Sequence, residues 1–491
     1  MTENYNTLSR FQDSESFHSG GTDESGQTGR YNDQIEDEIS IFDQLNIADG
    51  DDHLNEIEGI LGNGNEITSP SFGASLKHAF FNMTNSIVGA GIVGIPMAFL
   101  NSGLLMGLFL MIILTVVNDW TLRLIIINTK LSGTKTYTGF VTHSYGTWGK
   151  IIVLLSQGLF AVGGTVGFTI IIGDSIPHVL RPLFADWIEN SEFWTFIFSR
   201  NFIIFFCVCC ICFPLSLIKD MSLLARASGL ALVSMIIIIS IVVFKAPFVP
   251  SEYKGNLHGW EYFINGGLFQ GISVISFALV CHHNTTFIYD SIKTPTLDRF
   301  DRVIHISCAI SGLVCTIMGV CGVLNFGDKT DGNILNNFPS NDWMVNIARL
   351  CFGLNMITTL PLEIYVGREI IKDLYVIYKK RNSVSFEFQG FSKAQHTLVT
   401  GILTLIPLII SLTTCNLGSV LEIVGATSGS LIAYILPPLC YNKMTKKNKP
   451  KSQQFPYYLC AAFGFSVMLL STFQTLISIA NNPSEGNTCS S

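Results

Sequence analysis

The chain has 491 residues, of which 48% are hydrophobic and 11% aromatic but only 13% charged, and its mean hydropathy is +0.43. Soluble domains carry about 25% charged residues, so the composition excludes an ordinary soluble globule and points to lipid surroundings. The net charge of −7 is unevenly placed: residues 1–70 hold 16 acidic and 2 basic side chains, residues 71–491 hold 20 and 27.

The first 70 residues are rich in Ser, Asn, Gly, Asp and Glu. Such a segment cannot bury enough apolar surface to fold alone, so an acidic, disordered cytosolic tail is expected. A secretory signal needs a basic and then an apolar start, which the first 40 residues lack. Two stretches, Tyr5–Leu8 (YNTL) and Glu56 with Ile60 and Leu61, resemble sorting signals for adaptor proteins, although both patterns also arise by chance.

A bilayer core of about 30 Å takes roughly 20 apolar residues per helix. Eleven stretches qualify: 76–100, 103–127, 150–173, 199–218, 226–247, 266–289, 303–325, 342–364, 396–413, 416–440 and 457–480. They are continuously apolar, without the alternation of a membrane strand, so an all-α membrane domain over 71–480 is expected. With a cytosolic N-terminus, the cytosolic loops hold 19 Lys and Arg and the opposite loops only Arg181, Lys254 and Lys329. This bias fits the positive-inside rule and puts the short segment 481–491 on the far side.

The first span carries Gly89, Gly91, Gly94 and Pro96 near its middle. These residues weaken a helix and free main-chain groups, which in lipid must be satisfied by protein, water or a ligand. The alternative is close helix packing of the GxxxG kind. The sixth span is interrupted by Cys281, His282, His283, Asn284, Thr285 and Thr286. Polar clusters at membrane depth usually face a cavity or pathway, and paired discontinuities in corresponding halves mark a midplane substrate site. The alternative is a His pair satisfied by a polar neighbour.

Other polar groups are weaker signals. Asp119 and Arg123 are spaced for a helical ion pair, and Glu363 with Arg368 reads as a second structural pair. Glu422 is either a proton carrier or an ion-pair partner. Thr358 and Thr359 offer hydroxyls to a hard cation such as sodium, or simply bond their own helix. Cys207, Cys209, Cys210 and Cys212 lie in an apolar run and read as packing, as do most of the thirteen cysteines. No histidine box suggests a metal, and no solvated basic patch suggests a nucleic-acid partner.

The run Asn85–Pro96 (NSIVGAGIVGIP) resembles the first-helix signature of the amino acid/auxin permease family, closest to its sodium-coupled neutral amino acid transporter branch and the fungal vacuolar amino acid transporters. Asp119–Trp120, Leu131–Thr134, Ser276–Asn284, Pro361–Glu363, Arg368–Glu369, Leu421–Glu422 and Pro437–Pro438 extend the likeness across residues 70–480. The resemblance implies a five-plus-five inverted-repeat (LeuT-like) fold with an eleventh helix, and alternating access to an amino acid held between the broken first and sixth helices. By motif, the backbone of Ile87, Val88, Gly89, Ala90 and Gly91 would bind the substrate carboxylate. Val280, Cys281, His282 and Asn284 would receive its amino group or side chain. A sodium site would use first-helix carbonyls and the Asn82 region with Thr358 and Thr359. Glu422 and the His282–His283 pair would instead serve proton coupling.

The expectation is a secondary active transporter of neutral amino acids, proton-coupled or else sodium-coupled, with no cofactor beyond the coupling ion. Its partners would be neutral amino acids, membrane lipids and sorting adaptors, and its site the vacuolar membrane, ahead of the endoplasmic reticulum or plasma membrane. Two other classes stay open: an amino acid sensor signalling through the tail, and an intramembrane enzyme using His282 and His283.

Overall fold

The computed structural model describes residues 76–218, 228–382, 390–446 and 450–481. The expected acidic tail with its two sorting-like motifs, and residues 482–491, lie outside the described residues. No β-strand forms among the described residues. In chain order the helices are α1 (Leu76–Val88), α2 (Ile95–Ser102), α3 (Leu104–Ser132), α4 (Tyr137–Leu183), α5 (Ala185–Asn190), α6 (Glu192–Ile197), α7 (Arg200–Phe206), α8 (Phe213–Ser216) and α9 (Ser228–Lys245). They continue as α10 (Leu268–Leu279), α11 (His282–Ser291), α12 (Leu297–Phe326), α13 (Trp343–Asn382), α14 (Lys393–Thr413), α15 (Leu417–Val424), α16 (Leu436–Thr445) and α17 (Lys451–Asn481).

Ten helical runs among the described residues are long and apolar enough to cross a membrane. The sequence leads one to expect eleven. The remaining span, expected over 199–218, is a shorter apolar run, Arg200–Ser216, in which α7 and α8 are joined by a π-helical segment, Cys207–Cys212. The third span differs in the other direction. It forms the 47-residue α4 rather than the expected 150–173, and it bends at Gly146, whose φ of +65° and ψ of −154° suit glycine.

Two spans are interrupted, and each interruption has a local cause. Gly89 leaves the helical region (φ −17°, ψ −150°), a 3₁₀ turn follows over Ala90–Gly94, and α2 restarts with Pro96 in its first turn. Proline there costs little, because the N–H it lacks would have no intrahelical partner. In the sixth span α10 stops at Val280, which is extended (φ −76°, ψ 110°), and α11 restarts after Cys281. The tenth span is loosened differently, by consecutive π-helical segments Gly425–Gly429 and Leu431–Ile435 ahead of Pro437. Proline cannot donate to the preceding turn, so the ladder reorganises there.

The irregular spans are the interior ones. In their most apolar stretches 72%, 89% and 72% of the first, sixth and tenth spans are buried, against 33% of Ala231–Phe248, Lys393–Thr413 and Lys451–Asn481. Freed main-chain groups therefore lie inside protein, where a membrane tolerates them. Around this centre α13 packs along α4, α12 along α1 and α3, and α10 along α2.

The two ion pairs expected from sequence have different outcomes. Asp119 Oδ2 lies 3.4 Å from Arg123 Nε, and Asp119 Oδ1 lies 2.7 Å from His305 Nδ1. Glu363 and Arg368 do not pair. Arg368 donates instead to the Ser216 carbonyl (2.9 Å) and to Thr400 Oγ1 (3.1 Å), while Glu363 Oε2 is buried without a partner. The five-residue spacing turns Arg368 away from Glu363 and toward α8 and α14.

Candidate functional site

The two interruptions meet. A Cβ built on Gly91 would lie 2.6 Å from Ala278 Cα and 2.7 Å from its Cβ, so only glycine allows this approach of the 3₁₀ turn to α10. One turn further on, the same construction on Gly94 meets Leu421 Cδ1 at 2.7 Å, which brings in the tenth span. Across the other half, Asn284 Nδ2 donates to Ser86 Oγ at 3.1 Å, and Cys281 Sγ lies 3.8 Å from Met83 Sδ. Ile87, Val88, Ala90, Gly91, Val280, Cys281, His282 and His283 are all buried, and Gly89 and Asn284 are half-buried.

At such breaks the main chain is the chemically available group. The first amides of a restarted helix and the last carbonyls of the one that stops have no partner in their own helix, and the aligned peptide dipoles make those ends partly positive and partly negative. Here Val280 N still donates back to Ser276 O (3.1 Å) and Asn284 N to Cys281 O (3.0 Å). Tyr434, fully buried, donates to Ser276 Oγ at 3.2 Å and ties the last turn of α10 to the tenth span.

The histidines differ. Thr121 Oγ1 gives its hydrogen to the carbonyl of Val117 or Asn118 (3.0 and 3.1 Å) and lies 2.9 Å from His282 Nε2. His282 Nδ1 is buried without a partner. His283 packs its ring 5.0 Å from that of Phe160, and its Nδ1 is also buried without a partner.

Glu422 sits 4% exposed on α15 and accepts three hydrogen bonds, from Asn101 Nδ2 (3.2 Å), Gln270 Nε2 (3.1 Å) and Thr475 Oγ1 (3.0 Å). All three donors are neutral, and among the described residues no ion pair reaches this carboxylate. The donors come from α2, α10 and α17, and one side chain thereby joins both interrupted spans to the tenth and the last.

A profile of the family described as "Transmembrane amino acid transporter protein" matches residues 73–477. The chain is 46% identical over 417 residues to vacuolar amino acid transporter 2 of Saccharomyces cerevisiae, covering 85% of this chain and 86% of that protein. It is 31% identical to the putative sodium-coupled neutral amino acid transporter 11 of Danio rerio (81% and 85% covered) and 30% to that of Bos taurus (79% and 81%). The chain belongs to the transmembrane amino acid transporter family. It is thus a member of a family of membrane transporters and not of enzymes, in agreement with the resemblance of the first and sixth spans.

The residues expected to hold sodium have the following surroundings. Asn82 is exposed. Thr358 Oγ1 donates to the Asn355 carbonyl (2.9 Å), and Thr359 Oγ1 to the same carbonyl (2.8 Å). No hydrogen bond among the described residues joins either threonine to Asn82. Among the described residues no group of three or more His, Cys, Asp or Glu could hold a metal ion. Sequence reading missed Asn101, Gln270, Thr475 and Thr121, polar residues within largely apolar helices. Their only signal is that polarity, since a polar side chain buried in hydrocarbon needs a partner.

Proposed function

We propose that this protein is a secondary active transporter of neutral amino acids that works by alternating access at the vacuolar membrane, with a proton as its coupling ion. The observation that carries this reading is the meeting of two interrupted spans beside Gly91 and Ala278. In it, main-chain amides around Ile87, Val88, Gly89, Ala90 and Gly91 hold the substrate carboxylate. Val280, Cys281, His282 and Asn284 receive its amino group or side chain. No Asp or Glu occurs in 76–100 or 268–289, so nothing at the breaks selects a cationic side chain. The five-plus-five repeat, with α17 as the added helix, supplies two equivalent interrupted spans for such a mechanism.

The yeast relative's name supports the vacuolar site. Coupling by protons is favoured over sodium because Asn82 is exposed and the Thr358 and Thr359 hydroxyls bond their own helix, whereas Glu422 and His283 are buried titratable groups in the interior spans. Uptake of a panel of labelled amino acids into proteoliposomes, under an imposed pH or sodium gradient, tests the whole reading. Accumulation of neutral amino acids driven by the pH gradient alone is expected. Accumulation that requires sodium would overturn the choice of ion, and no amino acid uptake under either gradient would overturn the function.

A further inference from the structure

Beyond the break, at the Ser102 end of α2, lies a cavity of about 550 Å3 that the proposed substrate site does not use. Its size is within the roughly 300–1,000 Å3 of small-molecule sites. Leu421, whose Cδ1 a Cβ on Gly94 would meet at 2.7 Å, does not line it. Met97, Leu100 and Leu417 give it an apolar wall, and charged side chains from the end of α4, the start of α7 and the connection 328–340 face them.

Part of that charge is already engaged. Asp174 and Arg200 are each more than nine-tenths buried, with Nε 3.4 Å from Oδ1. Arg200 also donates to the carbonyls of Ser411 (2.9 Å) and Thr414 (3.4 Å), and Asp174 Oδ2 accepts from the side chains of Asn333 and Asn336, both at 3.4 Å. This pair forms a neutral, fixed floor. Arg181 and Asp331, which also line the cavity, are not used up in this way. Arg181 donates only its Nε, to the Phe198 carbonyl at 3.1 Å, and its two Nη groups are unengaged. Asp331 accepts through Oδ1 alone, from the Asn333 amide at 2.8 Å and the Asn336 side chain at 3.5 Å. One cavity thus presents an available guanidinium, an available carboxylate oxygen and an apolar wall.

We propose that this cavity is a second, peripheral docking site for zwitterionic amino acids, with the substrate carboxylate on Arg181, its ammonium on Asp331 and its side chain against Met97, Leu100 and Leu417. The inference rests on the transport reading above, since it assigns the same ligand class to the mouth of the path. A guanidinium offers a carboxylate two parallel donors, and an opposed carboxylate makes the site selective for a zwitterion over a simple anion.

The test is sided kinetics in proteoliposomes of defined orientation, using labelled L-leucine, L-glutamine and L-tyrosine on the full chain. Arg181→Gln and Asp331→Asn are each expected to raise KM about tenfold for uptake from the cavity side and less than twofold from the opposite face. Arg181→Lys should recover part of the loss, and Lys254→Gln, a half-buried position outside the cavity, should change neither. Wild-type KM on the cavity side in both variants overturns the docking site while leaving the carrier intact, and so does an equal rise on both faces. A wild-type protein that carries none of the three overturns the transport reading together with this one.

Discussion

Gly91 and Ala278 touch main chain to main chain, because a Cβ on Gly91 would lie 2.6 Å from Ala278 Cα. Distances below 3.0 Å cannot be met by rotating a side chain when the obstacle is backbone, so a larger residue must separate α10 from the 3₁₀ turn. Overpacking of this kind typically costs about 1–3 kcal/mol, and here the displacement falls on the break itself. Gly91→Ala is expected to lower amino acid uptake at least tenfold, and Gly91→Val to abolish it, with membrane insertion retained. Ala278→Gly should not rescue either, since the Cα that blocks the new Cβ remains. Full uptake by Gly91→Val in proteoliposomes would show that the two spans need not meet.

Glu422 gathers donors from three spans, and its replacement separates coupling from binding. Glu422→Gln keeps the shape but turns one acceptor oxygen into a donor opposite Gln270 and Thr475. Uptake driven by a pH gradient is expected to disappear, while exchange of labelled for unlabelled amino acid across the membrane continues. Glu422→Ala should impair both, because Asn101, Gln270 and Thr475 would each lose a buried partner at roughly 1–3 kcal/mol. Full pH-driven uptake by Glu422→Gln would remove this carboxylate from coupling.

The interruptions were legible because they depend on residue type within one span. Glycine and proline at 89–96 and a polar cluster at 281–286 stand out against an apolar background without knowledge of neighbours. The partners of Glu422 were not legible, because they lie 321, 152 and 53 residues away along the chain and only folding brings them together. The same holds for Arg368, whose acceptors on Ser216 and Thr400 are remote while the nearer Glu363 points elsewhere. A short spacing suggests a pair only when both residues share a helix face, and five residues do not place them so. The Asp174–Arg200 floor was hidden for a third reason: its two halves sit at the ends of consecutive spans, where charge is ordinary.

Asp342 precedes α13 and caps it, accepting from the amides of Met344 (3.0 Å) and Val345 (3.3 Å) while Lys245 Nζ lies 2.8 Å from Oδ2. Burial pushes this carboxyl up, but the Lys245 ammonium and the two amides outweigh it and hold it below its ordinary value. A depressed carboxyl contributes stability that is fully present above the unfolded value, about 4, and is lost as pH falls through the folded one. Asp342→Asn keeps a capping oxygen and loses the ion pair; Asp342→Ala loses both, at about 1 kcal/mol for the cap. Thermal midpoints of wild type and Asp342→Ala should therefore differ by a constant amount from pH 5 to 8 and converge below pH 4. A difference that vanishes already near pH 6 would contradict the assignment.

Arg349 is fully buried, yet its partners are main-chain carbonyls rather than a carboxylate: Nη2 donates to Leu335 (2.8 Å) and Phe338 (2.7 Å), and Nη1 to Pro339 (3.1 Å) and the Asn346 side chain (2.8 Å). Three carbonyls within five residues all point at one guanidinium, so this side chain holds the connection ahead of α13 in its fold. That connection also carries Asn333 and Asn336, which reach Asp174 at the floor of the cavity. Arg349→Met fills the volume but leaves the carbonyls without a donor, at a cost on the order of 3 kcal/mol. Arg349→Lys should recover little, because one ammonium cannot span acceptors arranged for a planar fork. The expected result is a thermal midpoint lowered by several degrees in both variants, with Arg349→Lys closer to Arg349→Met than to wild type. A lysine variant as stable as the wild type would mean that a point charge suffices and that the fork geometry does not hold the connection.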